Sequence, residues 1–178
     1  MLVMAEERVI LVDKDDQEIG TEEKLRAHRN GGKLHRAFSV FIFNSEGRML
    51  LQRRAAGKYH CPGLWTNACC SHPRPGESSE AAAHRKLKQE MGFDVPLKGA
   101  FSFVYKADFS NGLTEHEFDY VFAGTFDGKP QMNPDEADAF KWVDIAKLKK
   151  DVAANPDKYT PWFRIVFERV ADWNAHGR

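Results

Sequence analysis

The chain has little cysteine, no excess of either charge and no long apolar run, and each absence removes a class of protein. Three cysteines in 178 residues, two of them adjacent at Cys69-Cys70, do not make a disulfide framework, so a reducing cytoplasmic setting is expected. The 26 basic and 26 acidic side chains cancel, so no global field draws nucleic acid or a membrane surface. Any affinity for an anion must come from a local cluster. No apolar run approaches a membrane span, and the first residues lack the basic segment and apolar core of a secretory leader. Neither nucleic acid nor membrane is expected as a partner. Internal repeats, low-complexity stretches and linkers are also missing.

What remains reads as one mixed α/β (α+β) domain over residues 1–178, with its core at about 35–170, a length sufficient for a sizeable core. Strand-like runs occupy Arg8 to Val12 and Phe38 to Phe43. Asn44-Ser45-Glu46-Gly47 is a turn signal, and Arg48 to Arg53 reads as the returning strand of a hairpin. A long loop rich in glycine, proline and aromatics follows from Ala55 to Gly76, and loops of that length in a small domain usually carry function. Ser78 or Ser79 can cap a helix running to about Met91, with Gly92 as its stop and Ala83, Leu87 and Met91 as one apolar stripe. Further strands are expected near Gly99 to Ala107, Glu117 to Phe126 and Ala139 to Val143. Asp144 opens a short helix, and Thr160-Pro161 starts a last one whose buried side carries Trp162, Val166, Val170 and Trp173.

The chemistry concentrates in two short stretches. In Trp65-Thr66-Asn67-Ala68-Cys69-Cys70-Ser71-His72-Pro73, an extended backbone would turn Cys70 and His72 to one face and Cys69 to the other. Glu115-His116-Glu117 repeats the device with two carboxylates. A thiol, an imidazole and two carboxylates suit proton transfer beside a bound metal. Taken alone, the first pair is equally compatible with a small buried thiol and a histidine at the approach to a helix.

The 79–91 helix breaks a local rule. Glu90 lies in its last turn, at the negative end of the helix dipole, where a carboxylate is disfavoured by about 0.3–1 kcal/mol. Lys86, one turn earlier, offers a partial offset. Glu77, Arg85, Glu90 and Gly92 match positions of the Nudix box, whereas Ser71, Lys86 and Gln89 stand where that box has Gly, Glu and Glu. The chain thus resembles a Nudix fold, a mixed β-sheet sandwiched by helices, with a degraded hydrolase box. A helix that has lost carboxylates is poorly equipped to hold the ions that cleave a diphosphate.

With that box, Cys70-x-His72 and Glu115-x-Glu117 together, the chain resembles the type 1 isopentenyl-diphosphate Δ-isomerases from His28 to Trp162. The resemblance implies metal ligands at His28, His35, His72, Glu115 and Glu117, a mixed N/O set compatible with Mn²⁺, Mg²⁺ or Zn²⁺. It implies a second ion, Mg²⁺, between the substrate diphosphate and Glu90, helped by the Cys70 carbonyl. Lys24, Arg54, Lys58 and Lys86 fall on positions that contact the diphosphate; singly, each would read as a solvated charge.

The implied reaction is a 1,3-proton shift between isopentenyl and dimethylallyl diphosphate, with a small-molecule prenyl diphosphate as partner and a monomer or weak homodimer as the assembly. Cys70 and Glu117 are the implied acid and base, in an order the sequence leaves open. Tyr105 is the phenol near the acid site, and Trp162 is the aromatic that faces the reacting carbon and stabilises positive charge. Without the resemblance, Tyr105 and Trp162 would read as core. Two other readings stay open: a Nudix diphosphohydrolase of a nucleotide or prenyl diphosphate, and a noncatalytic zinc-stabilised domain using Cys61, Cys69, Cys70 and His72.

Overall fold

Strand β3, His35–Phe43, is built from HRAFSVFIF, a nearly unbroken apolar run, and a strand covered on both faces is where such a run is stable. The computed structural model, which describes residues 7–176, buries eight of its nine residues at the centre of a mixed sheet. Before it come β1 (Arg8–Val12), β2 (Glu18–Glu23) and the single-turn α1 (Lys24–Ala27). After it come β4 (Met49–Arg54), β5 (Trp65–Thr66), β6 (Cys69–Ser71), α2 (Ser79–Met91), β7 (Lys98–Asp108), β8 (Thr114–Thr125), β9 (Ala137–Val143), α3 (Ile145–Ala154) and α4 (Pro161–His176).

Alternation along β3 sends its side chains to two cores. Phe38, Val40 and Ile42 meet Ala82, Ala83, Leu87 and Met91 of α2. Phe41 and Phe43 meet Phe163, Val166, Phe167 and Val170 of α4, with Leu148 of α3 at the side. Each large apolar side chain buried in this way contributes about 1.5–3 kcal/mol, so the two helices are held to the sheet by these stripes. The expected sheet sandwiched by helices is observed. Buried apolar side chains begin earlier than the expected core span, at Val9 of β1, and end at Ala171.

Helix α2 runs as its signals predict. Ser78 accepts from the Ala81 N–H, and Gly92 closes the helix in the left-handed region at φ 76°. A Cβ on Gly92 would lie 2.5 Å from the Gln131 carbonyl oxygen, so the position requires glycine for space as well as for φ. Two stripes run along this helix: Ala83, Leu87 and Met91 enter the core, while Lys86 and Glu90, one position round, are buried with charge.

Three expectations change. The β3–β4 hairpin closes at one register pair, Phe43↔Met49, and β4 then pairs with β9, because β6 takes the β3 edge at residues 38–40. The long loop is therefore ordered by two short strands, β5 on β4 and β6 on β3. Strand β2 was hidden by its charged composition, EIGTEE; it is an exposed edge strand paired to β1, where charge discourages further pairing. Among the described residues, no helix is long and apolar enough to cross a membrane.

Candidate active site

Strand register assembles the site. His35 of β3 lies beside Glu117 of β8, which lies beside Tyr105 of β7. Antiparallel pairing sets Cys70 of β6 against Ser39 of β3. Along β8 the odd positions Glu115, Glu117 and Asp119 are buried on one face, while His116 turns away, its Nδ1 3.2 Å from the Gly32 carbonyl oxygen. The two cysteines also diverge as the extended reading requires: Cys69 is fully buried in the α2-side core, whereas Cys70 packs on the α4 side and lines a cavity with His72.

His28, His35, His72, Glu115 and Glu117 each offer one ligand atom, and these five atoms lie within 4.8 Å of one another. Their hydrogen bonds fit them for a cation. His28 Nδ1 is 2.6 Å from the Lys24 carbonyl and His35 Nδ1 is 2.7 Å from the Lys33 carbonyl. Each Nδ1 thus donates outward, which turns Nε2 into the cluster as a metal-binding histidine requires. His35 Nε2 then faces His72 Nε2 at 3.2 Å, and His72 Nε2 is also 2.9 Å from Glu117 Oε1. A divalent cation would suit this convergence of inward nitrogens and carboxylate oxygens; the mixed imidazole and carboxylate set fits one. Burial would by itself raise the Glu115 carboxyl, but hydrogen bonds from His28 and His60 hold it well below the usual range. Burial pulls His72 down to about 4 despite Glu117, so this ring is neutral and ready to ligate at pH 7.

Above this cluster lies a cavity of about 210 Å³. Of the residues expected at the site, Cys70, His72, Glu90, Tyr105, Glu115, Glu117, Trp162, Lys24, Arg54, Lys58 and Lys86 all line it. His28 and His35 stand behind it in the donor cluster. Tyr105 donates its hydroxyl proton to Glu117 Oε2 at 2.6 Å, which gives Glu117 a phenol as its proton contact. Burial raises both the Tyr105 phenol and the Cys70 thiol well above their ordinary values, so Cys70 keeps its proton at neutral pH. Trp162 is fixed by its indole N–H, which donates to Thr66 Oγ1 at 3.0 Å, and the Arg54 guanidinium lies 5.4 Å from its ring centre.

The far end of the cavity has different partners. Lys86 Nζ is 3.1 Å from Glu90 Oε1 and 3.6 Å from Glu136 Oε1, and Lys58 Nζ is 2.6 Å from Glu136 Oε2. Gln52 donates to Glu90 Oε2 at 3.0 Å. Glu90 is thus a buried, paired carboxylate. Lys24 pairs with Glu7 at 2.9 Å at the rim. Glu77 and Arg85, the other box residues, are held to each other through two bonds of 2.7 and 2.8 Å and brace the loop ahead of α2.

Several residues at the site were not named from the sequence. His60, from the loop before β5, lies 3.0 Å from Glu115 Oε1; only the fold shows that an aromatic loop lies against β8. Glu136 reads as one acid in a polar turn. Asp119 continues the Glu115-x-Glu117 alternation and was legible in principle. It is fully buried, accepts from Ser39 Oγ at 2.7 Å, and burial together with the Glu117 charge raises it well above the usual range. The three thiols do not converge, since the His/Glu cluster is the metal-capable group among the described residues.

This architecture is that of a NUDIX domain, whose family model matches residues 33–163. In structure the chain is similar to a Deinococcus radiodurans protein (TM-score 0.77, 22% identity, 92% of this chain and 98% of that one). It is also similar to the MutT protein of Methanosarcina mazei (TM-score 0.64, 21% identity, covering 80% and 96%). These likenesses establish the fold. In sequence it is 56% identical to isopentenyl-diphosphate Delta-isomerase 2 of Aromatoleum aromaticum, over 93% of this chain and 87% of that one. It is 53% identical to the isopentenyl-diphosphate Delta-isomerase of Serratia proteamaculans, over 92% and 90%. The chain belongs to the isopentenyl-diphosphate Delta-isomerase family.

Proposed function

We propose that this protein interconverts isopentenyl and dimethylallyl diphosphate in the cytoplasm, moving the double bond and leaving the diphosphate intact. The observation that carries the reading is the pairing of a neutral thiol, Cys70, with a carboxylate, Glu117, in one cavity whose other end is lined by Arg54, Lys58 and Lys86. One group delivers a proton to the terminal alkene carbon, and the other removes a proton from the carbon two atoms away. The proton count is unchanged, and the pair is reset by exchange through Tyr105, whose hydroxyl is already bonded to Glu117. Positive charge develops on the branched carbon between these steps. The face of Trp162 stabilises it, by up to about 2 kcal/mol in a desolvated site, without offering a nucleophile.

Lys24, Arg54, Lys58 and Lys86 would bind the diphosphate, and Glu90 would hold a Mg²⁺ that offsets the diphosphate charge. His28, His35, His72, Glu115 and Glu117 would hold one Mn²⁺, Mg²⁺ or Zn²⁺. When bound, that ion neutralises the buried carboxylates and keeps Glu117 ionised.

Purified protein supplied with isopentenyl diphosphate and Mg²⁺ should form dimethylallyl diphosphate, and Cys70→Ala should lose about 10²–10⁴-fold in kcat with little change in KM. Full turnover by Cys70→Ala would remove the thiol from the mechanism.

A further inference from the structure

His60 has no part in the proton transfer described above, yet it is the one imidazole outside the donor cluster that reaches it. Its Nε2 lies 3.0 Å from Glu115 Oε1, while the other oxygen, Oε2, lies 3.0 Å from His28 Nε2. His60 is not among the five residues whose donor atoms converge; it bonds to the cluster through Glu115, and its ring also stacks against His28 at 6.3 Å between centroids. Its backbone is clamped: Arg54 donates to the His60 carbonyl at 3.1 Å, Asn111 donates to the Tyr59 carbonyl at 2.9 Å, and Cys61 turns the chain at φ 49°. Its ring is walled by aromatics, with centroids 4.5 Å from Tyr59, 5.6 Å from Phe109 and 5.9 Å from Trp162. The Nδ1 atom is buried without a hydrogen-bond partner among the described residues, which leaves Nε2–Oε1 as the bond that fixes the ring against flipping.

We propose that His60 is a positioning residue for Glu115: its Nε2–H holds Oε1 and so keeps Oε2 turned toward the imidazoles that would bind the divalent ion. The proposal rests on the cation site argued under the proposed function. A glutamate with three free torsions would otherwise present either oxygen, or neither, to the ion. Held from both sides, by His60 outside and His28 inside, it offers one. Hydrogen-bond partners of this kind behind a metal ligand typically change affinity about 10–100-fold. The same ring abuts Trp162, so one loop residue sets the spacing between the ion-binding carboxylate and the aromatic wall over the substrate.

The test is titration of Mn²⁺ into the full chain, counting free ion by its spin-resonance signal, for wild type, His60→Ala, His60→Gln and His60→Phe. His60→Ala is expected to bind about 10–100-fold more weakly. His60→Gln, which keeps an N–H, should recover most of that loss. His60→Phe should stay as weak as His60→Ala while keeping the ring among Tyr59, Phe109 and Trp162, and it carries the test if His60→Ala fails to fold. Unchanged affinity in His60→Ala would overturn the proposal and leave the cation site standing. Recovery by His60→Phe would also overturn it, because packing would then be the cause. Wild type that takes up no Mn²⁺ would overturn the cation site itself, and His60's role with it.

Discussion

The two ends of the cavity contain the same acid, glutamate, and differ in what was placed beside it. At one end Glu115 and Glu117 face imidazoles, whose inward nitrogens can ligate a metal. At the other, Glu90 and Glu136 face Lys86 and Lys58, which are already cations. The first end has negative charge and donor atoms in excess and attracts a metal; the second is charge-balanced, and its lysines remain available to an anion. A carboxylate does not define a site; its partner does. The helix that a diphosphate hydrolase would line with carboxylates carries Lys86 and Gln89 instead, which is why the proposed reading puts the chemistry at the β8 end.

The largest effect should come from breaking the imidazole end. Glu117→Gln removes both a donor and the partner of Tyr105, and should cost at least about 10²–10⁴-fold in kcat together with weaker ion binding. His116→Ala, on the opposite face of the same strand, should be mild in both assays. Equal metal loss in the two variants would contradict the alternation on which the site is built.

Next is the lysine end. Lys86→Met leaves Glu90 buried with only Gln52 for company, and breaking such a pair costs about 3–5 kcal/mol. Adding Glu90→Gln should return most of that stability in a denaturant titration. The double variant should still show a raised KM, because both the point charge for the diphosphate and the carboxylate proposed to hold its Mg²⁺ are gone. If KM returned with stability, Lys86 would be a structural partner and not a substrate contact.

A smaller, thermodynamic contrast follows. A saturating divalent ion should raise the melting temperature, by about 2.7 kcal/mol of stability at one hundred times Kd, and a chelator should reverse it. The increment should vanish in Glu117→Gln and persist in Lys86→Met.

The smallest effect is in proton release. Burial opposes it, but bonds to Glu115 and its charge raise His28 above the ordinary histidine value, so near pH 6.5 the metal-free protein holds a proton there that a bound ion must displace. His72, pulled down to about 4, contributes none. Ion affinity should therefore weaken as pH falls through the raised His28 value, with fractional proton uptake and release measurable by calorimetry in two buffers. A flat affinity down to pH 5 would contradict this.

Much of this contrast was legible in the residues. An apolar run placed β3, alternation placed Glu115 and Glu117 on one face of β8, and Ser78 with Gly92 delimited α2, because local geometry dictates those patterns. The five donors were named from a family resemblance, and strand register explains why residues as distant as His35 and Glu117 meet. Strand β2 was not legible, since an edge strand needs no apolar face, nor were the short β5 and β6, which exist by pairing with β4 and β3. His60 and Glu136 were hidden for a related reason: each acquires its role from a partner more than fifty residues away.

The central claim is that the site transfers protons to and from carbon and does not cleave phosphate. Incubation with isopentenyl diphosphate and Mg²⁺ in D₂O, followed by mass and NMR analysis of the prenyl chain, tests it most directly. The account predicts dimethylallyl diphosphate carrying carbon-bound deuterium, with the diphosphate intact. Release of phosphate or pyrophosphate at a comparable rate, with no deuterium on carbon, would contradict it.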